Sequence, residues 1–172
     1  MTGAVVFLAF LVAQRLGELL YARRNTARLM AAGAVEHGAG HYPAIVALHT
    51  AWIAALAWWG WDEPVHLGWL AIFAVLQALR LWVLATLGPR WTTRIVVPPL
   101  DPAEPLVARG PFRLIPHPNY AVVTAEMFVA PMVLGLGWVA LVFGLANVAL
   151  LALVRIPAEE RALAPLRAAR GA

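Results

Sequence analysis

Residues 109–120 read Arg-Gly-Pro-Phe-Arg-Leu-Ile-Pro-His-Pro-Asn-Tyr, a polar, proline-rich loop set between long apolar runs. His117 and Tyr120 can each donate and accept hydrogen bonds, and both stand where the next apolar run, residues 121–134, is about to begin. Pro118 suits a first helical position, because its missing N–H would have no partner there. A helix start also presents free backbone N–H groups and a positive dipole end, which suits an anionic group on a ligand. The plainer reading is an interfacial turn stiffened by prolines. A second polar group follows the last apolar run: Arg155, then Glu159 and Glu160. A guanidinium could hold an anionic group and the carboxylates could accept hydrogen bonds from hydroxyl or amino groups. Alternatively the three form a helix-end charge cluster among lipid headgroups.

Gly110-Pro111-Phe112-Arg113, followed after three residues by His117-Pro118-Asn119-Tyr120, resembles the signature of the isoprenylcysteine carboxyl methyltransferase family. These are integral membrane enzymes that use S-adenosylmethionine, with phospholipid methyltransferases as relatives. Arg155 with Glu159 and Glu160 stands where that family carries a late acid pair following an Arg, and Asn147 matches a polar position in the same family. The resemblance runs from about Leu87 to Leu163. It implies that Gly110, Arg113, His117, Pro118, Tyr120, Arg155, Glu159 and Glu160 bind the cofactor, S-adenosylmethionine. Four places depart from the family. Pro116 stands where an Arg usually precedes the His-Pro, Phe112 replaces a Tyr, Val122 replaces a frequent Gly, and the tail lacks the aromatic-rich segment of the eukaryotic enzymes. These losses argue against a prenylated protein as substrate. They fit a small lipophilic acceptor, such as a long-chain alkylpyrone or alkylresorcinol, as in bacterial relatives associated with polyketide synthases.

Composition supports a membrane protein without reference to any family. Of 172 residues, 62% are hydrophobic and 13% charged, more apolar surface than one soluble domain of this size could hide. The net charge of +4 does not point to nucleic acid, because the Arg residues are dispersed at the ends of apolar runs and form no basic face. Cysteine is absent, which excludes a disulfide, a thiolate nucleophile and a thiolate metal site.

The elements that must position these residues follow from the apolar runs. Spans are expected at about 4–22, 43–61, 67–87, 118–134 and 138–154. The expected fold is an all-α integral membrane protein of one domain, residues 1–172, with five transmembrane helices, the last two a tight helical hairpin. No Lys or Arg precedes the first run, so a cleaved signal peptide is not expected. Gln14, Arg15 and Glu18 lie in its second half, and Arg15 and Glu18, three apart, share a helical face and can pair. Gln77 and Arg80 should face inward, given the cost of charge against lipid. Residues 25–41 read as a polar linker. His37 and His41 are separated by glycines that argue against a helix presenting them together, and no third ligand is evident, so no metal is expected. His49 reads as a hydrogen-bonded packing residue, and Trp58, Trp59 and Trp61 as interfacial. Residues 92–116 form a long connection rich in proline, Pro102 and Pro105 among them, and Pro157 and Pro165 should limit regular helix in the tail.

With the chain start outside, Arg23, Arg24, Arg28, Arg90, Arg94, Arg109, Arg113, Arg155, Arg161, Arg167 and Arg170 all fall inside, while the outer turns carry Asp62 and Glu63. Both motifs then face the cytoplasm, where S-adenosylmethionine is found, in what should be a bacterial inner (plasma) membrane. Methyl transfer needs the methyl carbon in line with a nucleophile roughly 3 Å away and water largely excluded. A carboxylate acceptor needs only placing, whereas a phenol or enol must also lose a proton to a base. The catalytic assignments are Arg155, holding an anionic substrate or the cofactor carboxylate, and Glu126, a carboxylate inside an apolar run. Glu126 could serve as that base or form a structural hydrogen bond to His49 or Gln77. The expected partners are membrane lipid and a lipophilic small-molecule or lipid substrate. A non-catalytic membrane protein retaining the fold and a sterol-type membrane reductase are the alternatives.

Overall fold

The structure is a computed structural model that describes residues 2–99 and 106–171. It is mostly helical. Helix α1, Thr2–Ala31, is followed by a short strand β1, Val35–His37, and a 3-10 turn at Ala39–His41. Helices α2, Tyr42–Gly60, and α3, Leu67–Leu87, come next, then strand β2, Ile95–Val97. A 3-10 turn at Gly110–Arg113 precedes α4, Pro118–Val133, and α5, Gly137–Leu150. A five-residue π-helical turn, Leu151–Arg155, joins α5 to α6, Ile156–Gly171.

Three expectations need correcting. The supposed linker at residue 25 is helical as far as Ala31, because its polar residues have partners on the turn after α3. Asn25 donates to the carbonyls of Trp91, at 2.9 Å, and Gly88, at 3.3 Å, and Arg28 donates to that of Pro89 at 2.8 Å. The fold is not purely helical either: β1 and β2 pair antiparallel, Glu36 opposite Val96, where the β-branched run Ile95-Val96-Val97 favours extended backbone. The tail forms helix α6 in spite of its prolines. Pro157 directly follows the π turn, where the regular i→i−4 ladder is already interrupted, and Pro165 is carried by Ala, Leu and Arg, all good helix formers. Pro102 and Pro105 lie outside the described residues, as does the side chain of Arg170.

Among the described residues, four helical stretches are long and apolar enough to cross a membrane: Thr2–Ala31, Ala39–Gly60, Leu67–Arg90 and Gly137–Ala168. Helix α4, at 16 residues, is shorter than any of them. Their outer faces leave large apolar side chains uncovered, Trp58, Leu67 and Leu153 each about three-quarters exposed. Lipid is the solvent such faces require, and the chain is an integral membrane protein. The apolar core lies towards the end of the bundle where α1 begins. It joins Phe7 and Leu11 to Trp52 and Leu56 of α2, Phe73 of α3, Met127 and Val133 of α4, and Val139 of α5. Phe7 meets Phe73 edge to face at 5.2 Å. The opposite end gathers the end of α1, the start of α2, the end of α3, the start of α4, the β-ribbon and the π turn, and the polar chemistry collects there.

Candidate active site at the ribbon end of the bundle

Helix α4 starts at Pro118, with His117 as its N-terminal flanking residue. That start puts the rings of His117 and Tyr120 side by side, stacked at 5.4 Å with 16° between their planes. The π turn ends at Arg155, which is 5% exposed. A π turn shifts the face that the following residues present, and such turns are frequent at functional sites. Here it brings Arg155 onto Tyr120: Arg155 Nε donates to the phenol oxygen at 2.9 Å. Tyr120 donates in turn to Glu159 Oε2, so guanidinium, phenol and carboxylate lie in series. His117 Nε2 lies 2.6 Å from Glu160 Oε1, and its Nδ1 is 3.9 Å from Glu159 Oε2. Glu160 also pairs with Arg167 of α6.

Arg155 is held on a second side by the segment that leads into β2. Its Nη2 donates to the Thr93 carbonyl at 3.0 Å, and the Thr93 hydroxyl lies 2.9 Å from the Tyr42 hydroxyl at the start of α2. Arg94 lies over the Tyr42 ring, 4.6 Å from its centroid, and donates to both oxygens of Glu36 at 2.9 Å. This leaves Arg155 Nη1 buried and without a hydrogen-bond partner among the described residues. Asn119 Oδ1 is buried and without one as well.

Six of the nominated residues, His117, Pro118, Tyr120, Arg155, Glu159 and Glu160, are therefore brought together. Gly110 and Arg113 are placed elsewhere, on the α3 side. Gly110 has φ +57°, and a Cβ there would fall 2.7 Å from Thr86 Oγ1, so its backbone lies directly against α3. Arg113 is exposed. Asn147 is buried and donates to Thr124 of α4 at 3.0 Å, tying α5 to α4 below the site. Thr93, Tyr42 and Arg167 were missed in the sequence. A backbone carbonyl and two ordinary surface residue types carry no spacing signal of their own.

Glu126 belongs to a second polar group. It is fully buried, and Oε2 takes Arg15 Nη2 at 2.7 Å and Arg80 Nη1, while Oε1 takes Gln77 Nε2 at 2.8 Å. Arg80 also donates to both oxygens of Glu18, which pairs with Arg15 at 3.2 Å and with Gln14 at 3.0 Å. Two guanidinium groups and two carboxylates thus neutralise one another where α1, α3 and α4 meet. Gln77 is the partner of Glu126, whereas His49 turns Nδ1 to the Ile45 carbonyl of its own helix at 2.9 Å.

The family model described as isoprenylcysteine carboxyl methyltransferase (ICMT) family matches residues 69–165, which contain all six of the gathered residues. The chain is also similar to the Bacillus subtilis (strain 168) protein named "Uncharacterized protein YpbQ". The two are 34% identical over 170 residues, covering 92% of this chain and 95% of that protein. No solved structure matches the chain.

Proposed function

The chain belongs to the isoprenylcysteine carboxyl methyltransferase family, and from that membership we propose that it uses S-adenosylmethionine to methylate an oxygen of a lipophilic acceptor at the cytoplasmic face of a bacterial inner membrane. The observation that carries this reading is the buried, unpartnered Nη1 of Arg155 beside a phenol and two carboxylates. A buried cation with one donor unmet is suited to a ligand carboxylate.

The residues present fit the cofactor. Its amino-acid end carries a carboxylate and an ammonium, and its sugar carries hydroxyls. Arg155 would hold the carboxylate, Glu159 and Glu160 would accept from the ammonium or the hydroxyls, and the stacked rings of His117 and Tyr120 would line the pocket. When bound, the cofactor supplies a methyl group on a positively charged sulfur. The protein's part is to hold the reacting atoms in line and to exclude water. Arg155 and Tyr120 serve that part by tying the end of α5 to the start of α4.

Single-domain, five-span topology belongs to the same proposal, with α4 as a short span paired with α5 across the Thr124–Asn147 bond. The cytoplasmic orientation is supported by Arg28, Arg90, Arg94, Arg113 and Arg155 at the ribbon end and by Asp62 and Glu63 at the other. Glu126 is better supported as a structural anchor than as a base, since three donors already occupy its oxygens. The test is direct binding of S-adenosylmethionine by the purified protein in detergent, measured by calorimetry. A lipid carrying one extra CH₂ in cells with the protein, and absent from cells without it, would identify the acceptor. Lack of cofactor binding would overturn the proposal.

A further inference from the structure

The ionic cluster around Glu126 has three unmet polar atoms at its edge, all on the seam between α1 and α2. Arg15 gives Nη1 to Glu18 and Nη2 to Glu126, which leaves Nε buried and unpaired among the described residues. Gln14 gives its amide nitrogen to Glu18, and its amide oxygen is left over in the same way. Trp52 of α2 is fully buried, and its indole Nε1 has no hydrogen-bond partner among the described residues either. The three atoms border one small region. Arg15 and Gln14 meet the same carboxylate, at 3.2 Å and 3.0 Å, and the Arg15 guanidinium carbon lies 5.9 Å from the centre of the Trp52 ring.

Two buried donors and one buried acceptor without partners cost free energy. A headgroup with a hydroxyl can satisfy them, accepting from Nε and Nε1 and donating to the amide oxygen. Position and charge narrow its class. Arg15 stands close to the middle of α1, whose 30 residues run about 45 Å, near the full thickness of a bilayer. Its side chain is 14% exposed, and Val12 and Leu16 beside it on α1 are exposed apolar residues. The opening therefore faces hydrocarbon, where water is scarce and a hydroxyl arrives on a lipid. Gln14 is half-buried, so its side chain can swing aside to admit the group. Charge is already balanced by Arg15 and Arg80 against Glu18 and Glu126. A phosphate or carboxylate headgroup would leave a net charge near the centre of the bilayer, which is costly.

We infer that the α1–α2 seam beside Arg15 and Trp52 is a binding site for an uncharged lipid with a free hydroxyl. The site is separate from the six residues gathered around Arg155: Glu126, which anchors it, lies about 9 Å along α4 from Tyr120. It stands whether or not the protein transfers methyl groups. Two sources carry this chemistry, a single-chain alcohol and a diacylglycerol of the bilayer, and dodecanol and dioctanoylglycerol serve as their probes.

The test uses the full-length protein, isotopically labelled at its Trp indole nitrogens, without S-adenosylmethionine. It is held in nanodiscs of phosphatidylcholine, a lipid that has no hydroxyl. In the magnetic resonance spectrum, the Trp52 N–H signal is the one that Trp52→Phe removes. Dodecanol or dioctanoylglycerol should move that signal downfield in a saturable way, and the probe that saturates at the lower concentration names the source. Dodecane, which lacks the hydroxyl, should leave it in place. Arg15→Lys keeps a cation for Glu18 and Glu126 but has no Nε, and it should raise the half-saturating concentration about tenfold. Gln14→Met keeps the side-chain length, loses the acceptor and should do the same, so the reading survives if one variant does not fold. The inference is overturned if neither probe moves the signal, if dodecane moves it as far, or if the variants bind like wild type. It is overturned as well by a Trp52 N–H that lies downfield before any probe and exchanges with deuterated water within minutes. Water would then be the occupant.

Discussion

Arg155 donates through Nε to the Tyr120 hydroxyl at 2.9 Å, and this contact joins the π turn after α5 to the first turn of α4. Tyr120 passes the hydrogen-bond chain on to Glu159 in α6. Two segments distant in sequence, the start of α4 and the junction of α5 with α6, thereby meet in one polar group at the ribbon end of the bundle.

Tyr120→Phe tests that relay. Phenylalanine keeps the stack on His117 but removes both the acceptor for Arg155 and the donor to Glu159. The affinity for S-adenosylmethionine should fall about tenfold, or about 1.4 kcal/mol, with helix content by circular dichroism unchanged. An unaltered dissociation constant would show that the hydroxyl is not part of the cofactor site.

The carboxylate side is tested by His117→Ala and Glu159→Ala. His117 reaches towards both acids, at 2.6 Å from Glu160 and 3.9 Å from Glu159, so its removal takes a neighbour from each while Tyr120 and Arg167 keep theirs. Each variant should bind the cofactor at least about tenfold more weakly, read by the same titration. Unchanged binding in both would sink the assignment of this segment.

Gly110→Ala addresses the loop that carries the motif. The added Cβ would meet Thr86 Oγ1 at 2.7 Å, and φ +57° is a conformation that alanine adopts only with strain. A stability loss of about 1–3 kcal/mol is expected in thermal unfolding. Combining it with Thr86→Ala should recover only the contact part of that loss. Full recovery would show that the positive φ carries no cost here.

How far the sequence could be read depended on the kind of signal. The apolar runs announced helices through length and hydropathy, whereas His117, Tyr120, Arg155, Glu159 and Glu160 stood out through the resemblance of their two motifs to a family signature. Pairing between Arg15 and Glu18 followed from helical spacing alone. The β-ribbon did not show, because three-residue strands leave no period to detect and β1 sits among glycines. The π turn is equally silent in sequence, although the direction of Arg155 depends on it. The tail misled because proline was read as a breaker without regard to where in a helix turn it falls. Thr93 acts on Arg155 through its backbone carbonyl, which no side-chain pattern encodes.

Glu126→Gln separates anchor from base. Glutamine keeps the shape and part of the hydrogen bonding but leaves Arg15 and Arg80 facing one carboxylate instead of two. Removing one partner from a buried ionic group should cost about 3 kcal/mol, seen as a lower unfolding temperature in detergent. Adding Arg15→Gln restores the charge balance and should recover part of the loss. The methylation rate per folded molecule should stay at the wild-type value. A variant that is stable but slow would return Glu126 to the chemistry.

The last prediction concerns where the acceptor comes from. Large apolar side chains such as Leu67 and Leu153 face outward along the helices, and the polar site lies at one end of the same bundle. A long-chain phenol partitions into the hydrocarbon phase, because each buried CH₂ contributes about 0.8 kcal/mol. Its concentration in water is therefore very small, and the acceptor should reach the site sideways from the lipid. In vesicles, the rate should follow the mole fraction of acceptor in the membrane rather than its amount per volume of buffer. Adding inert phospholipid at a fixed total acceptor concentration should then slow the reaction in proportion to the dilution. A rate that does not respond to added lipid would place the entry route in water and remove the reason for so apolar a chain to gather its substrate from the bilayer.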